Sequence, residues 1–204
     1  MTPAGTKGRV RCPWPGIEAE IYADYHDTEW GVPKLGDRDL FEKLILEGFQ
    51  SGLSWLTILR KRENFRAAFV GFDVERIAGF GEKDVKRLMG DTGIVRNRAK
   101  IEAAIGNARA FLKMAERESF SDFLWGFLED GPVVNRWRTF EEVPAQTAMS
   151  KKISKDLKGR GFGFVGPTTA YAFMQSVGMV NDHLVSCHRH RPCAELQARV
   201  KLPG

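Results

Sequence analysis

Four soft metal ligands stand at the two ends of a chain that otherwise nearly lacks them: Cys12 and His26 near the start, His183 and Cys187 near the finish. Only three Cys and four His occur in 204 residues, so this pairing of distant segments constrains the fold more than any other feature. Two thiolates and two imidazoles make a tetrahedral zinc set, and four protein ligands leave no open position for water. The expected role is therefore structural: one Zn2+ fastening the N-terminal segment to the C-terminal one. His183 and Cys187 are four apart, the separation at which two side chains point the same way on one helical turn. The same residues also read as buried free cysteines and hydrogen-bonded core histidines. Cys193, His188 and His190 are alternative ligands, but the charges and the proline of His188–Cys193 read as part of a solvated tail.

A chain of this length with 43% apolar residues can bury a sizeable core. Its net charge of +5 favours an acidic partner, nucleic acid most simply, although such an excess also serves solubility. Three cysteines are too few, and odd in number, for a disulfide framework, which points to a reducing compartment. The opening Met1–Gly8 lacks the apolar run of a signal peptide, and no stretch has the length of a membrane span. A soluble, cytoplasmic, monomeric protein without membrane contact is expected.

Helical periodicity dominates. Asp37 can cap a helix whose apolar face is Leu40, Phe41, Leu44, Ile45 and Phe49, and Ser54 can cap the next, with Trp55, Ile58 and Leu59. Further helices are predicted over 82–89, 97–115, 121–128 and 150–158, with Gly, Pro and Asp clusters between them. The pattern predicts an all-α bundle over residues 9–188, a disordered N-terminal tail over 1–8 and a basic C-terminal tail over 189–204.

Two local patterns carry chemistry. The run from Lys158 to Ala170 places Gly161, Gly163 and Gly166 between two helices, with Pro167 in the first turn of the second. The second helix would offer N–H groups and its dipole to a phosphate, as a helix-hairpin-helix does when it grips DNA without reading sequence. Lys158, Arg160 and Thr168 flank that turn; an ordinary helix connection fits the same residues. The other pattern is aromatic: Trp14, Tyr22, Tyr25, Trp30 and Trp55 crowd the first quarter of the chain, and Glu47 lies at the edge of an apolar helical stripe among them. A carboxylate ringed by indoles and phenols suits a purine, more so a positively charged one. The alternative is a core filled by these rings, with Glu47 in an internal ion pair.

The strings Tyr25–Pro33, Leu46–Trp55, Lys61–Phe65 and Phe173–His183 together resemble DNA-3-methyladenine glycosylase I, the bacterial Tag family, in order from Cys12 to Cys187. The resemblance implies an all-α helix-hairpin-helix glycosylase with zinc on Cys12, His26, His183 and Cys187. It implies a base pocket of Glu47, Tyr25, Trp55, Trp14 and Tyr22, with Glu47 the catalytic group. It further implies an enzyme that flips 3-methyladenine out of alkylated duplex DNA and hydrolyses its bond to deoxyribose; no lysine is evident as a Schiff-base nucleophile, so a monofunctional enzyme is expected. The loop Ser51–Ser54, with Gly52 and Leu53, would then fill the gap left in the duplex. Asp182 falls where related glycosylases outside that family place a catalytic Asp, and it also suits a helix cap or a support for His183. A non-catalytic DNA clamp and a zinc hydrolase with an open metal position are the competing classes.

Overall fold

The computed structural model describes residues 9–202, so the octapeptide 1–8 expected to be disordered lies outside the described residues, as do 203–204. The order is α1 (Glu20–Thr28), α2 (Asp37–Gln50), α3 (Trp55–Ala68), α4 (Val74–Ala78), α5 (Glu82–Gly90), α6 (Arg98–Ala115) and α7 (Phe120–Trp125). There follow β1 (Val133–Val134), α8 (Ala148–Gly159), α9 (Pro167–Ser176), β2 (Val180–Asn181) and α10 (His190–Gln197). The strands are a parallel two-residue bridge, Val133 against Val180 and Val134 against Asn181.

Local polar groups set many of the helix starts. Ser54, Asn97, Ser119 and Thr147 each accept a backbone N–H of the following turn and so open α3, α6, α7 and α8. Asp37 behaves differently. It is the first residue of α2, and its carboxylate caps α7 instead, accepting Phe120 N at 3.2 Å and Ser121 N at 2.8 Å. The capping chemistry read from the sequence is present, but it serves a helix more than eighty residues away.

Helix α2 is the axis, packed against α3, α6, α7 and α9. It is buried at Leu40, Phe41 and every position from Lys43 to Phe49, so it carries two charged side chains, Lys43 and Glu47, into the interior. A helix apolar on nearly all sides is a core helix, and charges inside one call for a reason. At the end of α9, Gly178 (φ +75°) brings the chain back against the Val32–Pro33 loop: a Cβ there would lie 2.5 Å from Pro33 N. Only glycine fits that contact, which packs the end of α9 against the Val32–Pro33 loop.

The C-terminal segment departs from its reading as a solvated tail. Cys193 and Gln197, four apart on α10, face inward and are buried, and Gln197 Nε2 donates to Gly178 O at 2.8 Å, while Arg191 stays in solvent. Charge on one helical face masked the inward pair on the other. Helices α1, α4 and α10 are the ones that the periodicity did not foretell. Among the described residues no helix is long and apolar enough to cross a membrane.

Candidate functional site

Cys12, His26, His183 and Cys187 come together, all buried, with their ligand atoms within 4.8 Å of one another. The two ends of the chain meet as the spacing required, although His183–Cys187 is a tight turn, with Cys187 N on Leu184 O at 2.8 Å, rather than helix. Cys187 Sγ is 3.5 Å from His26 Nε2 and from His183 Nδ1, and Cys12 Sγ is 3.7 Å from His183 Nδ1. Tetrahedral bonds of about 2.3 Å to sulfur and about 2.0 Å to nitrogen set S···N edges of about 3.5 Å, so the donor set fits a four-coordinate cation.

The outer atoms of both rings are fixed. His26 Nδ1 is 2.8 Å from Asp27 Oδ1, and His183 Nε2 is 3.1 Å from Trp30 O, the supports that orient ligating imidazoles. Burial would raise the Asp27 carboxyl, but hydrogen bonds from Arg11 and His26 hold it down at about 2. The alternative ligands are used elsewhere. His188 Nδ1 meets Val10 O at 3.0 Å, His190 Nε2 meets Asn135 O at 2.8 Å, and Cys193 Sγ packs on Trp30 O at 3.8 Å.

Beside this cluster opens a cavity of about 420 Å³. Trp14 is the shared wall: its ring lies 4.8 Å from His26 edge-on, 4.7 Å from Trp30 and 5.1 Å from Tyr22. Tyr25 and Trp55 face each other at 5.3 Å, and Glu47 lines the space with them. The expected pocket residues Glu47, Tyr25, Trp55, Trp14 and Tyr22 therefore do converge on one cavity. Among the described residues no basic side chain closes a salt bridge with Glu47, and the cavity is not packed shut. Burial pushes the Glu47 carboxyl up to about 7, against the opposing pull of Lys43 and the Ser176 hydroxyl. The Trp55 indole N–H is also buried and has no acceptor among the described residues.

Sequence reasoning missed part of the lining. Tyr171 and Gln175, one turn apart on α9, and the segment Phe140–Ala145 close other sides of the cavity. Lys43 also went unnoticed, although it precedes Glu47 by one helical turn, the spacing of an interacting pair. Asp182 lines the cavity as well, but all of its capacity is taken. Oδ1 accepts Asn135 Nδ2 at 2.7 Å and Trp137 Nε1 at 2.8 Å, and Oδ2 accepts Tyr171 OH at 2.6 Å and Gln175 Nε2 at 2.7 Å. Its carboxylate neither caps a helix nor touches His183; it ties the 135–137 segment to α9.

The glycine-rich connection joins α8 to α9 as a hairpin, with Gly161 after α8 and Gly166 as the residue before Pro167. Its loop sits on α2, where a Cβ on Gly48, the neighbour of Glu47, would meet Phe164 Cβ at 3.4 Å. Lys158 and Thr168 are exposed, and Thr168 also lines the cavity. Arg160 is engaged: it pairs with Glu118 at 2.9 Å and lies 4.4 Å over the Phe123 ring. Gly52 and Leu53 lie in an exposed turn between α2 and α3, whose flanking residues Gln50 and Trp55 line the cavity. Lys100 braces that turn, donating to Phe49 O at 2.9 Å and to Ser51 O.

Residues 14–190 match the family model described as methyladenine glycosylase. The chain is 51% identical over 185 residues to the DNA-3-methyladenine glycosylase of Haemophilus influenzae, covering 90% of this chain and 97% of that one. It is 51% identical over 178 residues to DNA-3-methyladenine glycosylase 1 of Escherichia coli, covering 87% and 95%. A crystal structure of 3-methyladenine DNA glycosylase I (TAG) superposes with a TM-score of 0.86 at 49% identity, over 88% of this chain and 98% of that one. A match over most of the sequence, carried by the same helical fold, makes this chain a member of the methyladenine glycosylase family.

Proposed function

We propose that the chain is a monofunctional DNA-3-methyladenine glycosylase: it binds alkylated duplex DNA, takes the damaged nucleotide out of the stack and hydrolyses the bond to deoxyribose, leaving an abasic site. The observation that carries this reading is Glu47, a buried carboxylate without an ion-pair partner among the described residues, facing an open cavity walled by Trp14, Tyr22, Tyr25 and Trp55. Its relatives are named for the same activity.

The chemistry asks little of the protein. Methylation at N3 gives adenine a positive charge, so cleavage of the C1′–N9 bond sends its electron pair into the base and neutralises it. The sugar takes up the charge as an oxocarbenium ion, and water adds at C1′ with loss of a proton to solvent. Glu47 would attract the cationic base and balance charge on the sugar, while the aromatic faces favour a cation over neutral adenine. Unmodified adenine lacks both that attraction and the labile bond. No lysine lines the cavity among the described residues, which supports hydrolysis without a Schiff-base step.

The hairpin and the Gly52–Leu53 turn would hold the duplex, with Lys158 on a phosphate and the N–H groups of α9 near Gly166 and Thr168 on another. Zn2+ on Cys12, His26, His183 and Cys187 would supply a structural clasp; four protein donors leave it no position for water, which separates this reading from a zinc hydrolase. Three cysteines without disulfide bonds fit the cytoplasm.

Chromatography of bases released from methylated duplex DNA tests the proposal. Wild-type protein should release 3-methyladenine, and Glu47→Ala should release it on the order of a hundredfold more slowly while keeping its helical circular dichroism. Equal rates for the two proteins would remove Glu47 from the site, and no release by either would refute the activity.

A further inference from the structure

Lys43 and Glu47 sit one turn apart on α2, each 4% exposed. Among the described residues no carboxylate forms a salt bridge with Lys43. Instead its Nζ donates to Tyr25 OH at 3.2 Å and lies 4.4 Å from the Tyr25 ring centroid and 4.7 Å from that of Trp55. A buried ammonium in a core helix is costly, and a methionine would fill the same space without that cost. What the ammonium touches is the outer side of two cavity walls, and it lies near the one buried carboxylate of the same helix.

We propose that Lys43 is a positioning residue of the pocket: it holds the Tyr25 and Trp55 rings in place by contacts from behind and keeps Glu47 a carboxylate. The inference rests on Glu47 and these rings forming the base site. Because Lys43 does not line the cavity, its charge acts on Glu47 without touching a bound cation. By accepting from Lys43, the Tyr25 oxygen leaves its own proton available to an acceptor in the pocket.

Of the other charges near the pair, the Glu29 carboxylate is already balanced. Glu29 and Lys34 act on Lys43, and Glu29 is bound to Arg62 at 2.7 Å. Tyr22 and Tyr25 face Glu47 and are pushed above the usual phenol range, first by burial and then by its charge, so both are neutral. Asp182 and Tyr171, across the cavity, are hydrogen-bonded to each other at 2.6 Å, and Lys100 is committed to carbonyls at the C-terminal end of α2. Lys43 is thus the cation that opposes the burial of Glu47; burial lowers its own ammonium to about 8, so it is charged at pH 7, where the Glu47 carboxyl, raised to about 7, titrates.

The test is the pH dependence of kcat/KM for 3-methyladenine release, between about pH 5.5 and 9.5, in wild type, Lys43→Met and Glu47→Gln, with melting curves for each. Wild-type activity should fall as pH drops through about 7, where Glu47 takes up a proton. In Lys43→Met that limb should move up by about one unit or more, giving a loss of about fivefold or more at pH 7 that largely recovers at pH 9. Its Tm should be equal or higher, because an apolar chain replaces a buried charge. An unmoved limb, or a loss equal at every pH with a lowered Tm, would overturn the proposal and leave Lys43 as packing. Glu47→Gln separates the two levels. If it retains full activity the base-site reading itself fails, whereas an inactive Glu47→Gln beside an unmoved Lys43→Met limb refutes the role of Lys43 alone.

Discussion

Asn107 and Gly163 are joined by a reciprocal pair of hydrogen bonds: Gly163 N donates to Asn107 Oδ1 at 2.7 Å, and Asn107 Nδ2 donates back to Gly163 O at 3.1 Å. A side chain of α6 thereby takes the place of a strand partner for the hairpin loop, fixing a glycine-rich turn that would otherwise have few internal constraints. Asn107 is buried, so Asn107→Ala would leave the Gly163 amide without its acceptor. Removing both bonds should cost about 2–3 kcal/mol, read as a lower Tm, and should weaken DNA binding while excision from saturating DNA is largely kept.

The two basic residues beside the hairpin should separate in a salt titration. Lys158 is exposed and makes no ion pair among the described residues, whereas Arg160 is already bound to Glu118 and stacked on Phe123. Lys158→Ala should reduce the slope of log K against log salt by about 0.9, the value for one lost phosphate contact. Arg160→Ala should alter that slope less and lower Tm more. Equal slopes for wild type and Lys158→Ala would place the phosphate elsewhere.

Metal content distinguishes the three cysteines. Cys187→Ser should lose metal and melt at lower temperature, since the proposed zinc would tie residues 12 and 26 to 183 and 187. Cys193→Ser should keep full stoichiometry by atomic absorption, because its sulfur packs on Trp30 O outside the cluster. Chelation of the wild-type protein should reproduce the thermal loss of Cys187→Ser.

Asp182→Asn tests whether that carboxylate is a hub or a reactant. Either orientation of the amide sets its NH2 group against two donors, so stability should fall by about 2–4 kcal/mol in denaturant unfolding. Excision per folded molecule should fall far less than in Glu47→Ala. A stable but inactive Asp182→Asn would reinstate Asp182 as a catalytic group.

Apart from α1, α4 and α10, the helices and most of their starts were legible from residue order. So was the meeting of the two chain ends at Cys12, His26, His183 and Cys187, because ligand chemistry admits few partners in a chain with so few of them. The aromatic pocket was legible as a set of residue types, Glu47 with Trp14, Tyr22, Tyr25 and Trp55. Several features were not. Asp37 looks like the cap of its own helix and caps α7. His183–Cys187 has helical spacing and is a turn. The segment from Arg189 reads as basic tail, yet α10 buries Cys193 and Gln197.

Periodicity, capping residues and ligand type are local properties, and the sequence by itself determined those: an all-α chain with metal-ligand residues at its two ends and an acid among aromatic rings. Which polar group satisfies which depends on contacts between residues far apart in the chain. Tertiary structure alone therefore decided that Asp182 is saturated by four donors, that Lys43 stands behind the pocket, and that Glu47 faces open space. The physical reason is desolvation: a charge withdrawn from water is governed by the few groups packed around it, and those groups are assembled only when the helices pack.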